Sequence, residues 1–413
     1  MDSQIIERLN ALRDEPVKPP SASVQEAMRT GRRRIRVRRA TVGGITLIAV
    51  AAVLGSASLV AHTADGPPHL PAATPTVSTP PSRHPAALPA KPPLTKVKGC
   101  AIRPLQPLPS GSYTSVLAVD STGRYAVGAY LPDGATGDRA VLWQDGVPTV
   151  LDTPGQDAHP VAVNSSGVVI GQSAIGDRFV DWVAMNGTVF TPTSTATGDV
   201  RLSAINDRGM IVGAVGSGLH YVSMLWTSPT AVGTPLPMPG PNWLVGPQAI
   251  NDDSVIVGIA EPDRSGKQSV IMWGADRKYQ LLPTPLFKNP ASLGIANIDQ
   301  RHFTAFDRNG IHQDAAYVFD IASGKHATIE RPDNLGLSAG SGAGLFIGWL
   351  KSPTEGSILW GPGPRTTTLP TRSHNSVVTA QAISANGRFV GGIEQSAAGT
   401  TQPATQPVIW ACH

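Results

Sequence analysis

Apolar and polar positions alternate in short runs through the C-terminal three-quarters of this chain, and the runs recur. AINDRGMIVG (204–213), AINDDSVIVG (249–258), AVNSSGVVIG (162–171) and AISANGRFVG (382–391) are copies of one pattern. AVDSTGRYAVG (118–128) is the first copy, one residue longer, and ANIDQRHFTA (296–305) and AGSGAGLFIG (339–348) are worn ones. The leading Ala falls at 118, 162, 204, 249, 296, 339 and 382, in steps of 42 to 47 residues. A fixed period of about 40–50 residues marks an array of one supersecondary unit, the size of a four-stranded propeller blade.

The unit at 204–239 shows what each copy encodes. SAIN predicts a short strand with Ala204 on one face, and Asn206-Asp207-Arg208-Gly209 a turn in which Gly209 is free to take positive φ. MIVGA predicts a second strand, YVSMLW a third ending in Trp226, and TPLP a fourth at an edge, where Pro is tolerated. Short strands with turn signals every 8–12 residues are the all-β signature. No helical periodicity separates them, which argues against a parallel βαβ sheet. The expected fold class is all-β: a seven-bladed β-propeller over residues 99–413.

A Trp recurs in register at Trp143, Trp182, Trp226, Trp273, Trp360 and Trp410, with Phe319 in the worn fifth copy. Such a ring would serve either as ligand-stacking platforms or as filling between adjacent blades. Repeat units must bury one face on their neighbours, and aromatics carry the most area, so these seven read as inter-blade structural residues.

The seventh copy stops three residues after Trp410, without its fourth strand. RPLQPLPSG (103–111) supplies the missing one: Leu105 lies 13 residues before Ala118, as Leu236 does before Ala249 and Leu369 before Ala382. The N-terminal strand of the domain is therefore expected to complete the last blade and remove an open edge. The two cysteines, Cys100 and Cys412, bracket the repeats. Mapped onto the sixth copy they fall at Pro364 and Pro362, on either side of a hairpin turn, within the ~4.4–6.8 Å Cα separation that a disulfide needs. A Cys100–Cys412 bond would replace the absent turn, with a chain-entropy contribution of about 4–5 kcal/mol.

The N-terminal quarter is organised differently. Residues 41–61 carry no charge and would span ~31 Å as a helix, matching a bilayer core. Six arginines between Arg32 and Arg39 precede them, which by the positive-inside rule places the tail 1–40 in the cytoplasm and the repeats outside. The competing reading is a cleaved signal peptide. Against it stand an n-region of some 40 residues and an apolar run longer than usual; small residues near Ala61 keep it open. Residues 62–98, rich in Pro, Ala, Thr and Ser, lack apolar periodicity and predict a disordered, extended linker. The tail holds 10 Lys and Arg against 5 Asp and Glu, while the whole chain is only +4. The basic character thus belongs to the tail, where topology setting and contact with anionic lipid explain it better than nucleic-acid binding.

Chemistry-bearing motifs are sparse. Gly336-Leu337-Ser338-Ala339-Gly340 matches G-x-S-x-G, but that motif needs a strand–turn–helix elbow, and here it falls on an expected innermost strand. His159, His220, His302, His312, His326 and His374 are scattered, without the spacing of zinc ligands. Asp207, Asp252 and Asp253 sit in turns, where Asp is expected. No catalytic, cofactor-binding or metal residues are assigned, and the chain reads as a non-enzyme without a cofactor.

The copies AINDRGMIVG…SMLW, AINDDSVIVG…VIMW and AVDSTGRYAVG…AVLW resemble the extracellular repeats of the HAF family, over about residues 100–413. They depart from it at Ala140-Val141-Leu142 and its equivalents, where the family's His-Ala-Phe triplet would stand. The resemblance implies a secreted or surface propeller and carries no shared chemistry. The front of the chain resembles actinobacterial single-pass membrane proteins with a short basic tail, some of which accompany extracytoplasmic-function sigma factors; the zinc signature of one anti-sigma class is absent.

The expected protein is a membrane-anchored, extracytoplasmic propeller that binds a protein or glycan at the central channel of its loop face. The most divergent connections, 129–139, 259–268, 306–315 and 394–406, are the expected contact segments. Two other roles stay open: a transmembrane regulator whose tail holds a cytoplasmic partner such as a sigma factor, and an extracytoplasmic hydrolase or lyase.

Overall fold

The computed structural model describes residues 97–413, except 109–112, 218–219, 263–266, 283–292, 308–314, 331–334, 351–355, 362–365, 374–375 and 397–404. The expected tail (1–40), the span (41–61) and all but the last two residues of the linker (62–98) lie outside the described residues.

Seven antiparallel sheets follow one another along the chain and form a seven-bladed, all-β propeller. The third blade is representative: Asp199–Ile205, Ile211–Ser217, His220–Trp226 and Thr234–Pro235 pair in sequence order. Gly209 in its first turn has φ +79°, as its place in an Asn-Asp-Arg-Gly turn requires. The outermost strand is only two residues long, and its Pro has no N–H to extend the ladder.

Every innermost strand is irregular at the same place. The register shifts by one residue between Pro160 and Ala162, Leu202 and Ala204, Pro247 and Ala249, Ile295 and Asn297, Leu337 and Ala339, and Ala380 and Ala382. In the first blade the strand divides into Tyr113–Thr114 and Ala118–Val119. The bulge corrects the reading of the fifth copy. Asn297, not Ala296, stands where Ala204 stands in the third; Ala296 is the bulged residue itself. An alanine one position early mimicked the pattern.

A bulge leaves a backbone N–H outside the ladder, and a buried donor without an acceptor is costly. The preceding blade supplies the acceptor. Val116 N–H donates to Gln381 Oε1 (2.9 Å), Leu202 to Asp181 Oδ2 (2.6 Å), Ile295 to Gln248 Oε1 (2.8 Å) and Ala380 to Ser357 Oγ (2.8 Å). In the second and fourth blades this position is Pro160 and Pro247, which have no N–H to satisfy. Ser223, facing Pro247 from the third blade, instead donates to Val245 O (2.7 Å).

Seven apolar clusters lie between consecutive blades, and each contains one of the seven recurring aromatics, all at most 3% exposed. Trp226, for example, packs on Val168, Ile170 and Val183 of the second blade. Four indoles also hold the crossover that leads into their own blade: Trp143 Nε1 donates to Gln106 O, Trp226 to Thr193 O, Trp273 to Pro237 O and Trp410 to Pro370 O, at 2.7–3.0 Å. Trp182 departs from the common register. Ala184 pairs with Val169 where Trp226 pairs with Ile211, and Trp182 sits two residues earlier, on the same face. Its ring lies over Gly171, where a Cβ would come within 2.4 Å of the indole, and its N–H goes to Ser173 Oγ (2.9 Å).

The last blade is Ser376–Ile383, Phe389–Ser396, Thr405–Cys412 and, outermost, Cys100–Pro104. The closing strand therefore begins three residues earlier than 103 and ends well before 111. Leu105 N–H still reaches Pro407 O, but Gln106 N–H turns away to Gly146 O in the first blade. Cys100 and Cys412 are disulfide-bonded with Cα atoms 4.0 Å apart. This is closer than the separation expected of residues flanking a turn, because the two are direct cross-strand partners. Gly99 and His413 next to them exchange both backbone hydrogen bonds, which makes Cys100/Cys412 the narrow, non-hydrogen-bonded kind of pair.

Candidate functional site

The two ends of the ring differ in kind. At one end are the turns between first and second strands, and the repeated Asn, Asp or Ser of each turn is a cap. Side-chain oxygens of Asp120, Asn164, Asn206, Asn251, Asp299, Ser341 and Ser384 accept the backbone N–H of Tyr125, Val168, Met210, Val255, His302, Leu345 and Phe389, at 2.6–3.1 Å. The amide nitrogens then link turn to turn: Asn164 Nδ2 donates to Asn206 O (3.0 Å), Asn206 to Asn251 O (2.8 Å) and Asn251 to Asp299 O (2.9 Å).

Asp207 sits nearer the axis. Its Oδ1 accepts Ser165 N–H of the second blade (2.7 Å) and its Oδ2 accepts the Ser121 hydroxyl of the first (2.8 Å). A hydrogen bond that skips a blade forms only where the turns crowd the axis. Asp252 Oδ1 accepts Asp207 N–H (2.8 Å), and Asn386 Nδ2 donates to Ser121 O (2.7 Å). Burial pushes the Asp252 carboxyl up, with the neighbouring Asp207 charge adding to the effect. Turns at this end are thus tied to one another by the protein's own hydrogen bonds, and Asp207 and Asp252 are occupied in them. A shallow cleft of about 450 Å³ opens beside it between the seventh and first blades, bordered by Arg103, Arg124, Asp145 and Ser165. Arg124 is already paired with Asp145 there (3.1 Å).

At the opposite end are the connections between second and third strands. The strand ends that flank the four divergent segments, 129–139, 259–268, 306–315 and 394–406, stand here, and residues 263–266, 308–314 and 397–404 of those segments lie outside the described residues. The described part of this end holds two buried carboxylates that face an arginine, Glu394 beside Arg372 (4.0 Å) and Asp181 beside Arg201. Asp181 of the second blade is 3% exposed and meets Arg201 of the third at 3.2 Å. Arg201 Nη1 also donates to Phe179 O (3.1 Å) and Val200 O (3.3 Å). Phe179 itself is 49% exposed. The pair thus fastens an exposed aromatic strand end to the next blade.

Burial pushes the Asp181 carboxyl up to about 6, against the pull of the Leu202 N–H and of Arg201. Unfolded, such a group titrates near 3.8. The folded chain therefore binds an extra proton between these values, and stability falls as pH rises from about 4 to about 6, by about 3 kcal/mol from this group. Asp181→Asn keeps an acceptor for Leu202 N–H and removes the slope. The stability difference between Asp181→Asn and wild type should shift in favour of the variant by about 2–3 kcal/mol between pH 4 and pH 7 in urea titrations. A difference independent of pH would contradict this.

The G-x-S-x-G segment lies on the innermost strand Leu335–Gly340 of the sixth blade, with Ser338 at the bulge. Its two glycines are seats for rings: a Cβ at Gly336 would lie 2.2 Å from the Trp349 indole, and one at Gly340 2.8 Å from Phe346. Among the described residues, no group of three His, Cys, Asp or Glu side chains converges to hold a metal ion. The turn cap and the bulge acceptors escaped sequence reasoning as a set. The Asn of AIN was their signal, repeated but read as turn composition alone.

No protein-family model and no curated protein matches the chain. Solved propellers do. The β-propeller domain of the Trilobed protease from Pyrococcus furiosus, described as having an open velcro topology, is 11% identical with a TM-score of 0.50, over 73% of this chain and 95% of that one. Oligogalacturonate lyase from Vibrio parahaemolyticus is 9% identical (TM-score 0.48), over 76% of this chain and 98% of that one. A prolyl endopeptidase is also 9% identical (TM-score 0.49), over 72% of this chain; the match spans only 47% of that protein's length. At these identities the likeness concerns the fold. In contrast to the first, the ring here is closed by Cys100–Pro104.

Proposed function

We propose that this chain is a membrane-anchored, extracytoplasmic binding module that takes a protein or glycan ligand on the face opposite the closed turns. The observation that carries the reading is the asymmetry of the ring. At one end the turns are hydrogen-bonded to each other across the axis, while at the other stand the strand ends that flank the divergent connections, on a rigid frame. A binding role is favoured over hydrolysis or lyase chemistry because the one nucleophile motif is absorbed by ring packing. The Cys100–Cys412 bond suits an oxidising compartment, in keeping with the uncharged segment 41–61 as an anchor and the arginine block as its cytoplasmic flank.

In-cell cross-linking of the full-length protein beside one lacking residues 2–30 tests the reading. Envelope partners retained by both forms are the expected result. A cytoplasmic partner lost with the tail would instead make the chain a transmembrane regulator, with the propeller as its input.

A further inference from the structure

Two sets of aromatics stand at opposite ends of the strands. The seven between the blades are buried, and six of them lie at the turn end of their strands. A second group stands at the opposite end: Tyr113, Tyr130, Phe179, Tyr221, Trp243 and Trp349 each lie within two residues of the strand terminus that faces the divergent connections. Tyr113 and Phe179 are 38% and 49% exposed, and the other four are half-buried. None belongs to the repeat. Trp243 and Trp349 are the two tryptophans of the chain outside the inter-blade set.

We infer that this aromatic rim binds an uncharged glycan chain, each ring stacking on the apolar C–H face of a sugar. The inference rests on the binding reading above and names its ligand class. Three observations carry it. First, the rings are held in place, with Tyr130 and Trp243 each resting one face on an inter-blade cluster. Trp349 lies flat over Gly336, the only kind of residue that leaves room for it, and the Phe179 backbone is held by Arg201, itself fixed by Asp181. Rings with few rotatable bonds, held in place beforehand, lose little entropy on binding.

Second, the rings are distributed over five blades with polar groups between them, such as the exposed Gln156, Asp157, Asp177 and Arg178. A protein-binding hot spot is a contiguous patch that desolvates as a unit. Separate rings among hydrogen-bonding groups fit a polymer whose every unit has one apolar face and an edge of hydroxyls. Third, the exposed charge on the first three blades at this end is mostly acidic, with Asp133, Asp157, Asp177 and Asp199 against Arg139 and Arg178. With Lys267 and Arg372 the exposed cations described on the other blades at this end, the described residues offer no basic cluster to a polyanion such as an acidic polysaccharide or nucleic acid.

The test is titration of the full-length protein in detergent with cello-, chito- and manno-oligosaccharides, and with polygalacturonate as the anionic comparison. At least one uncharged series should bind. Phe179→Ala and Trp349→Ala should each weaken it about tenfold, with Phe179→Ala leaving the melting temperature unchanged, while Phe179→Tyr and the outer-strand change Tyr279→Ala leave binding intact. Absence of binding to every uncharged series, binding unaffected by both alanine changes, or preference for polygalacturonate would each overturn the inference. A loop face that cross-links to protein but binds no sugar overturns it too, and leaves the binding-module reading standing.

Discussion

Replacing Cys412 with serine should lower the melting temperature by about 5–10 °C, and reducing agent should do the same to the wild type. The bond closes a loop of sequence separation 312, and for long loops chain entropy alone suggests about 4–5 kcal/mol. Its position adds to the effect. The closing strand Cys100–Pro104 has only five residues to hold the outer edge of the last blade. Cys100 is its first residue, where peeling from the N-terminal side would begin. Without the bond, Leu105 would lose its fixed place between the seventh and first blades, in the cluster with Val116, Trp143 and Ile409. Calorimetry of Cys412→Ser, with and without reductant, checks this. An unchanged melting temperature would show that backbone pairing alone closes the ring.

Trp226→Ala should destabilise the domain by about 3–5 kcal/mol, the usual range for a fully buried tryptophan. The indole is 0% exposed and fills the space between the second and third blades. Its N–H donates to Thr193 O (2.7 Å), and Gly233 approaches so closely that a Cβ would lie 2.5 Å from the ring. The substitution therefore leaves a cavity and removes one of the two hydrogen bonds to Thr193 O, the other coming from Gly233 N–H (2.9 Å). Trp226→Phe keeps most of the area and loses the hydrogen bond, so it should cost about 1–2 kcal/mol. Urea unfolding of both variants measures the two contributions; equal losses would mean that the hydrogen bond, not the volume, dominates.

Blade number, strand order and ring closure were legible because the hydrophobic alternation repeats with a near-constant step. The cysteine register was legible for the same reason, since the sixth copy served as a ruler. Finer features were not. A bulge adds one residue without altering composition, so Ala296 passed for the landmark that Asn297 occupies. Trp182 passed for an in-register Trp because a shift of two residues keeps a side chain on the same face. Asp181 carries no sequence signal, since its partners, a backbone N–H freed by a bulge and Arg201, belong to the next blade.

The rim was also hidden. Periodicity directs attention to what repeats, and residues such as Phe179 and Trp349 differ from blade to blade. Their signal was the reverse of the one sought: tryptophans that fall outside the period.

The most direct test of the account is photo-cross-linking of the full-length protein in cells, with the reactive side chain placed at Phe179 or Tyr113 on the loop face, or at Arg124 or Ser121 on the turn face. The account predicts ligand adducts from 179 and 113 and none from 124 and 121. Adducts confined to the turn-face positions would contradict it, and would place the binding surface at the end of the ring that the repeated turns close.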